Sequence, residues 1–270
     1  MRRIENRSIF GCSKQIIHTV IRYFSFALKT ARKQKPRFLI ISFGIMRTQY
    51  IFDSENFNLI RVTTPTLQDF GILLQIFHFE FYKIENSWKT IIEKIHGISN
   101  NQEITILDLG ANIGLSALYF SLTFPKATIV LVEISQRNIT LAKENTLGRH
   151  CVYLYGAISN KKTRANLVDS GLGPDAFRVE LSSDGSLDTF TVAEILNDFK
   201  SNPYLIKIDI EGSESMLFES HTEWIDKFPL IIIELHDWLL LNQSNSHNFL
   251  TQISKRNRNF IYRNENIFSF

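Results

Sequence analysis

The segment "DLGANIG", Asp108 to Gly114, sets an aspartate, a glycine, an asparagine and a second glycine at alternate positions. Gly110 and Gly114 give the backbone freedom to bend and to come close to a ligand, and a helix starting after them offers unpaired N–H groups. Asn112 stands where a dinucleotide fingerprint needs its second glycine, the one that lets the backbone approach a pyrophosphate. An aspartate at this turn repels phosphate, so Asp108 suits a cationic ligand instead. Glu133 closes "ATIVLVE" about twenty residues beyond the turn, where a carboxylate accepts hydrogen bonds from ribose hydroxyls. S-adenosylmethionine is a nucleoside whose α-ammonium and sulfonium are positive, and it is the cofactor these residues lead us to expect.

A second group of titratable residues follows. "IKIDIEGSESMLF" contains Asp209, Glu211 and Glu214, and "IIIELHD" contains Glu234, His236 and Asp237. Acids at a helix start can merely complement the helix dipole, but six such groups at one sheet edge point to chemistry. A substrate hydroxyl that attacks a methyl group in line needs a base for its proton. Asp209 and His236 are the candidates, the imidazole because its ordinary pKa lies near neutrality. The same acids could hold Mg²⁺ around the acceptor oxygen. The expectation is a site without a metal, because the dipole already accounts for acids at a helix start.

The elements that must position these residues alternate. A strand over 104–108 leads to a helix over 114–123 stopped by Pro125, then to a strand over 127–133. Ser135 is a fitting N-cap and Gly148 a fitting stop for the next helix. "CVYLYGAI" is a strand, residues 159–187 form a Gly-, Ser- and Asp-rich excursion with room for a hairpin, and a short helix spans 192–199. The strand "YLIKIDI" precedes a helix beginning near Ser213, and "LIIIELH" is a further strand. Continuous Val, Ile and Leu runs of this kind belong to parallel strands covered on both faces. "RNFIYRNENIFSF" reads as a hairpin. The expected fold is therefore α/β and Rossmann-like, a mostly parallel sheet with helices on both faces and a C-terminal antiparallel hairpin.

In order and spacing, "DLGANIGLSALYF", "VLVE", "IKIDIEGSE" and "IIIELH" resemble the signature segments of the FkbM-like S-adenosylmethionine-dependent methyltransferases. "TPTLQDFGILLQIFHFEFY", residues 64–82, resembles the segment that precedes the fold in that family. The resemblance implies a class I methyltransferase domain over residues 61–270, with residues 1–60 as a helical or extended N-terminal segment, a cap or a peripheral element. It also implies a cofactor site built from Asp108, Gly110, Asn112, Gly114, Glu133 and Ala157, with Asp209 beside the transferring methyl. The implied reaction is O-methylation of a hydroxyl on a sugar, glycolipid or secondary metabolite. Two positions depart from the family pattern: Ala193 stands where an acid is usual, and Ile134 follows Glu133 in place of proline.

Composition sets outer bounds. A chain of 270 residues holds one large α/β core with an added segment. Its 44% hydrophobic and 21% charged residues exclude a disordered chain, and a net charge of +3 argues against nucleic acid as the main partner. Cys12 and Cys151 lack metal or redox spacing and are expected to be reduced structural thiols. No apolar run reaches the roughly 20 residues of a membrane span, and the first residues lack the pattern of a secretory signal, so a soluble cytoplasmic protein is expected. Residues 13–35 read as a basic amphipathic helix. Such a helix either packs on the domain with a solvated basic end, the favoured reading, or contacts an anionic membrane surface peripherally. The partner expected is a small-molecule or glycan acceptor. A rival reading is a nucleotide-binding protein without catalysis. Oligomeric state is not legible.

Overall fold

A computed structural model describes residues 36–41, 47–98, 102–169, 177–199 and 202–270. The basic segment 13–35 and Cys12 lie outside the described residues. The chain forms two compact units, Met1–Glu80 and Phe81–Phe270.

In the first unit, β1 (Phe38–Ile41), β2 (Thr48–Asp53) and β3 (Asn58–Thr63) form an antiparallel meander. Asp53 is buried at the β2–β3 turn, where it accepts two hydrogen bonds from Arg37 at 3.1 Å and one from Asn56 at 2.7 Å. Those bonds and the Arg37 charge more than offset the upward push of burial and hold the carboxyl below its ordinary pKa. Helix α1 (Leu67–Leu73) starts in a capping box between Thr66 and Asp69 and runs into a π-helical turn, Leu74–His78. Phe77 from that turn meets Phe38 edge-on at 5.2 Å.

The second unit contains, in order, α2 (Asn86–His96), β4 (Ile104–Leu109), α3 (Leu115–Thr123), β5 (Thr128–Glu133), α4 (Gln136–Asn145), β6 (Cys151–Tyr155) and β7 (Ala157–Ile158). It continues through β8 (Arg164–Asp169), β9 (Phe177–Leu181), β10 (Leu187–Phe190), α5 (Val192–Asp198), β11 (Asn202–Ile208), α6 (Glu214–Leu217) and β12 (Leu230–Glu234). It ends with α7 (His247–Ile253), β13 (Phe260–Arg263) and β14 (Asn266–Ser269). Seven strands form one sheet in the order β6-β5-β4-β11-β12-β14-β13, parallel from β6 to β12. β14 enters antiparallel to both β12 and β13, so the C-terminal hairpin read from the sequence completes the sheet.

Why the sheet is parallel follows from its residues. Leu107, Leu109, Ile206, Ile208, Ile231 and Ile233 are buried against Val192 and Ile195 of α5 and Phe249 and Ile253 of α7. Alternation turns the neighbouring residues, Ile106, Asp108, Leu205 and Lys207, to the opposite face, where Ser116 of α3 meets Asp108. Burial on both faces requires helical crossovers, and these produce parallel pairing.

The chain departs from the sequence reading at "CVYLYGAI". β6 stays in the large sheet, while after Gly156 the two-residue β7 joins a separate sheet of order β7-β10-β8-β9. The 159–187 excursion thus contributes the antiparallel pair β8–β9 to a second sheet. The chain builds outward from β4 through β5 to β6, then crosses back to β11 on the other side of β4. The crevice where this order reverses lies between the C-terminal ends of β4 and β11.

Candidate active site

Gly110 follows β4 at that crevice. Its φ is +75°, Asn112 is at +49° and Gly114 at +79°, so the turn makes three excursions into the left-handed region. The N–H groups of Gly110 and Ala111 both donate to the carbonyl of Val132, at 3.0 and 3.1 Å, tying the turn to the end of β5. A Cβ on Gly110 would lie 1.7 Å from the Asp209 carbonyl oxygen, which is why no side chain fits there. Gly114 caps α3 without a side-chain hydrogen bond.

Glu133, only 6% exposed, braces the turn from the neighbouring strand. One of its oxygens accepts the Asn112 N–H at 2.8 Å and the other the Ser135 N–H at 2.9 Å. Of the carboxylate's four acceptor positions the Asn138 side chain takes a further one, which leaves one free. Burial raises the pKa of this carboxyl, and the two backbone donors offset part of the rise. Ala157 is buried beside this strand end, next to Gly156, whose N–H donates to the Glu133 carbonyl at 3.0 Å.

Asp108 is fully buried and faces inward. Its Oδ2 accepts the Ser116 hydroxyl at 2.5 Å, and its Oδ1 lies 3.3 Å from the Lys207 ammonium, within ion-pair range though not hydrogen-bonded. Lys207 stands directly across from Asp108 in the β4–β11 register. Its ammonium donates to the Gly110 carbonyl at 2.7 Å and sits 3.2 Å from Oδ2 of Asp209. Burial alone would strip Lys207 of its proton, but the charges of Asp209 and Asp108 more than reverse that and raise its pKa well above the ordinary value. Lys207 therefore ties together the turn, Asp108 and Asp209. The sequence reading passed over it, although a lysine inside the apolar run "YLIKIDI" is itself a signal of a buried partner.

Asp209, Glu211, Glu234 and His236 converge beyond the ends of β11 and β12. Nε2 of His236 lies 3.6 Å from Asp209, 3.6 Å from Glu234 and 3.8 Å from Glu211. Its Nδ1 is 2.8 Å from Oε1 of the fully buried Glu214, whose other oxygen accepts from Asn245 at 2.5 Å. An ionised Glu214 can only accept, so Nδ1 carries the proton of this bond. Burial would lower the His236 pKa; the hydrogen bond and charge of Glu214, then Asp209 and Glu234, raise it to about 9. Burial and the nearby Asp209 push Glu234 up to about 8. Glu211 and Gly212, at φ +50° and +94°, make the bend that carries Glu211 into the cluster and starts α6 at Glu214. Asn245 could not be found from sequence, because it comes from the loop before α7, 31 residues from Glu214.

A central parallel order of β6-β5-β4-β11-β12 extended by an antiparallel hairpin, with a glycine turn and a carboxylate at its switch point, defines a class I methyltransferase fold. The family described as Methyltransferase FkbM domain matches residues 108–262, more than half of the chain, and the protein belongs to that family. It is an S-adenosylmethionine-dependent methyltransferase. No curated protein matches the sequence. Solved structures with a similar course include a candidate caffeoyl-CoA O-methyltransferase from Staphylococcus aureus, at 14% identity over 69% of this chain and 83% of that one, with a TM-score of 0.39. A candidate O-methyltransferase from Klebsiella pneumoniae shares 12% identity over 69% and 80%, with a TM-score of 0.39. M. capricolum TrmK bound to S-adenosylhomocysteine shares 14% over 69% and 66%, with a TM-score of 0.30.

The residues present fit the cofactor by the chemistry of their donors. Glu133 offers a lone pair to a diol. The carboxyl oxygens of Asp209, Glu211 and Glu234 at the mouth of the crevice are acceptors that would suit the α-ammonium of the cofactor. Among the described residues no helix is long and apolar enough to cross a membrane.

Proposed function

We propose that the protein transfers a methyl group to a hydroxyl oxygen of a sugar, glycolipid or secondary metabolite, with the chemistry residing in the second unit. The observation that carries this reading is the convergence of Asp209, Glu234 and His236 beside the glycine turn, a set of acceptors and one donor able to orient a polar hydroxyl. Glu133 would hold the ribose of the cofactor, and the backbone of the turn from Gly110 to Gly114 would line its path. Bound there, S-adenosylmethionine supplies an electrophilic methyl. Asp108 would act at one remove, holding Lys207 and through it the Gly110 carbonyl and the Asp209 carboxylate. Asp209 is the proposed base, because His236, with its pKa raised to about 9, holds a proton at neutral pH and is placed to donate.

The test is release of S-adenosylhomocysteine over a panel of sugar nucleotides, glycan fragments and hydroxylated metabolites, with the methyl position read by mass spectrometry. Transfer to a hydroxyl is expected. Transfer confined to amines, thiols or nucleic acid overturns the reading. Asp209→Asn should lower kcat by about 100-fold or more while leaving S-adenosylhomocysteine affinity nearly unchanged.

A further inference from the structure

We propose that the second unit carries a second small-molecule site, a cavity of about 340 Å³ that takes a phosphate monoester with free hydroxyl groups. It lies between the segment that follows β7, the start of α5 and the 3₁₀ turn Glu223–Lys227, and none of its lining residues belongs to the candidate active site. Its volume falls within the range of small-ligand pockets, roughly 300 to 1,000 Å³.

A buried acceptor at this cavity lacks a donor. Asn160 lines the wall and is 9% exposed. Its Nδ2 donates to Glu219 at 2.9 Å and to Ser220 at 3.1 Å, while its Oδ1 is buried with no hydrogen-bond partner among the described residues. Turning the amide over would set its oxygen against the Glu219 carboxylate, so the carbonyl side is the one left over. A buried carbonyl without a partner is unfavourable, and a ligand hydroxyl relieves it.

Charge selects the rest of the ligand. Lys161 and Lys227 both line the cavity, and neither ammonium has an ion-pair partner among the described residues. Lys162 is the contrast, lying outside the lining and paired with Glu194. Glu223 is the one acid among the lining residues, so a positive excess remains. Two uncommitted lysines match the double charge of a phosphate monoester better than a single carboxylate. The Thr191 hydroxyl accepts the Glu194 N–H at 3.1 Å and keeps its own hydrogen for a phosphate oxygen. Val192 and Trp224 make the apolar wall, and Trp224 is packed by Phe218 at 5.4 Å and Phe228 at 6.3 Å, so that wall belongs to the core. Ala193 completes the lining where the family usually carries an acid; a carboxylate there would cancel the positive excess. Such a ligand binds with the active site already filled, so the site does not depend on hydroxyl methylation.

The experiment titrates the full chain, saturated with S-adenosylhomocysteine, with glucose-6-phosphate, ribose-5-phosphate and glycerol-3-phosphate, each read by phosphorus NMR. One saturable site per chain is expected for at least one ester, with inorganic phosphate about 10-fold weaker. Lys161→Met and Lys227→Met should each weaken binding about 10-fold, the value of one charge-assisted hydrogen bond. Ala193→Asp should abolish it. Residue 193 is exposed and lies in the first turn of α5, where an acid favours the helix, so this variant keeps its fold. Lys162→Met makes the same charge change outside the cavity and should bind as wild type does. A wild-type chain that binds none of the three esters overturns the site, and so does an Ala193→Asp variant that binds them normally. Equal losses in Lys162→Met and Lys161→Met would reduce the effect to surface charge and overturn it as well. Inorganic phosphate held as tightly as the esters would remove the contact to Asn160, and with it the ester as the ligand class.

Discussion

At the scale of residues, the site rests on buried charges that neutralise one another. Lys207 is 2% exposed and Asp108 is fully buried, so removing the lysine leaves the Asp108 carboxylate without water or a counter-ion. Breaking a buried pair in this way costs about 3 to 5 kcal/mol. Lys207→Met should therefore destabilise the protein by that order in urea unfolding. Lys207→Met combined with Asp108→Asn should recover part of the loss; additive losses would show that the two residues do not interact across the strands. Glu133 carries a second prediction. Glu133→Gln puts an amide against N–H groups of Asn112 and Ser135 that need acceptors, and S-adenosylhomocysteine binding should weaken by about 1 to 3 kcal/mol in calorimetry. Its pH dependence has a definite sign. Burial raises the folded pKa of Glu133 above the ordinary 4.5, and the protonated acid has fewer lone pairs to offer a ribose. Cofactor affinity should accordingly fall on acidification beginning above pH 4.5, and the Gln variant should show no such fall. A wild-type affinity that is flat down to pH 4.5 would remove Glu133 from the ribose site.

At the scale of elements, the glycine turn is where two strands come closest. Gly110 was readable in sequence as a place for close approach to a ligand, yet its nearest neighbour is the Asp209 backbone of the adjacent strand. Gly110→Ala should consequently damage the fold as well as cofactor binding, since a methyl group 1.7 Å from a backbone oxygen and a φ of +75° both demand that the strand ends move apart. A fall in melting temperature without cofactor present checks this; a variant that melts as wild type does contradicts it. Gly114 differs in kind, because its Cβ would meet Ala142 of α4 at 2.8 Å, so its role is helix packing. The strands of the large sheet and the helices α3 to α6 were legible, since runs such as "TILDL" and "TIVLVE" carry both the apolar content and the acidic ends of buried parallel strands, whereas the β1–β3 meander, α2 and α7 were not. The split at Gly156 was not, because "CVYLYGAI" has the same composition on both sides of the break and only sheet geometry decides which sheet each half joins. The acids of the candidate site were legible for being charged at strand ends. Lys207, Ser116 and Asn245 were not singled out, because their significance arises from partners brought near by folding, such as the Lys207–Asp108 register.

At the scale of the whole second unit, the C-terminal hairpin both completes the sheet and supports the site. β12 supplies Glu234 and leads into His236, and its residues Leu230–Ile233 are fully buried between β11 and β14. Glu234 is paired in register with Asn266, which is itself buried, so the position of one candidate site residue depends on β14 being in place. Arg258 secures the entry to the hairpin by donating to the carbonyls of Phe228 at 3.0 Å, Pro229 at 3.2 Å and Ser269 at 2.8 Å. Phe268 secures the strand itself: it is fully buried and its ring meets Trp88 of α2 at 5.8 Å. Truncating a buried phenylalanine removes its transfer free energy and leaves a cavity, together about 3 to 5 kcal/mol. For a unit of this size Phe268→Ala should lower the melting temperature on the order of 10 °C. Because Phe268 pairs in register with Ile232 and not with Glu234, the loss of function should track the loss of structure: activity and cofactor binding should be close to wild type well below the transition and vanish with it. Unchanged thermal stability would mean that β14 is not held by this contact. A variant stable as wild type but weakened in cofactor binding would mean that the hairpin influences the site by a route other than anchoring β12.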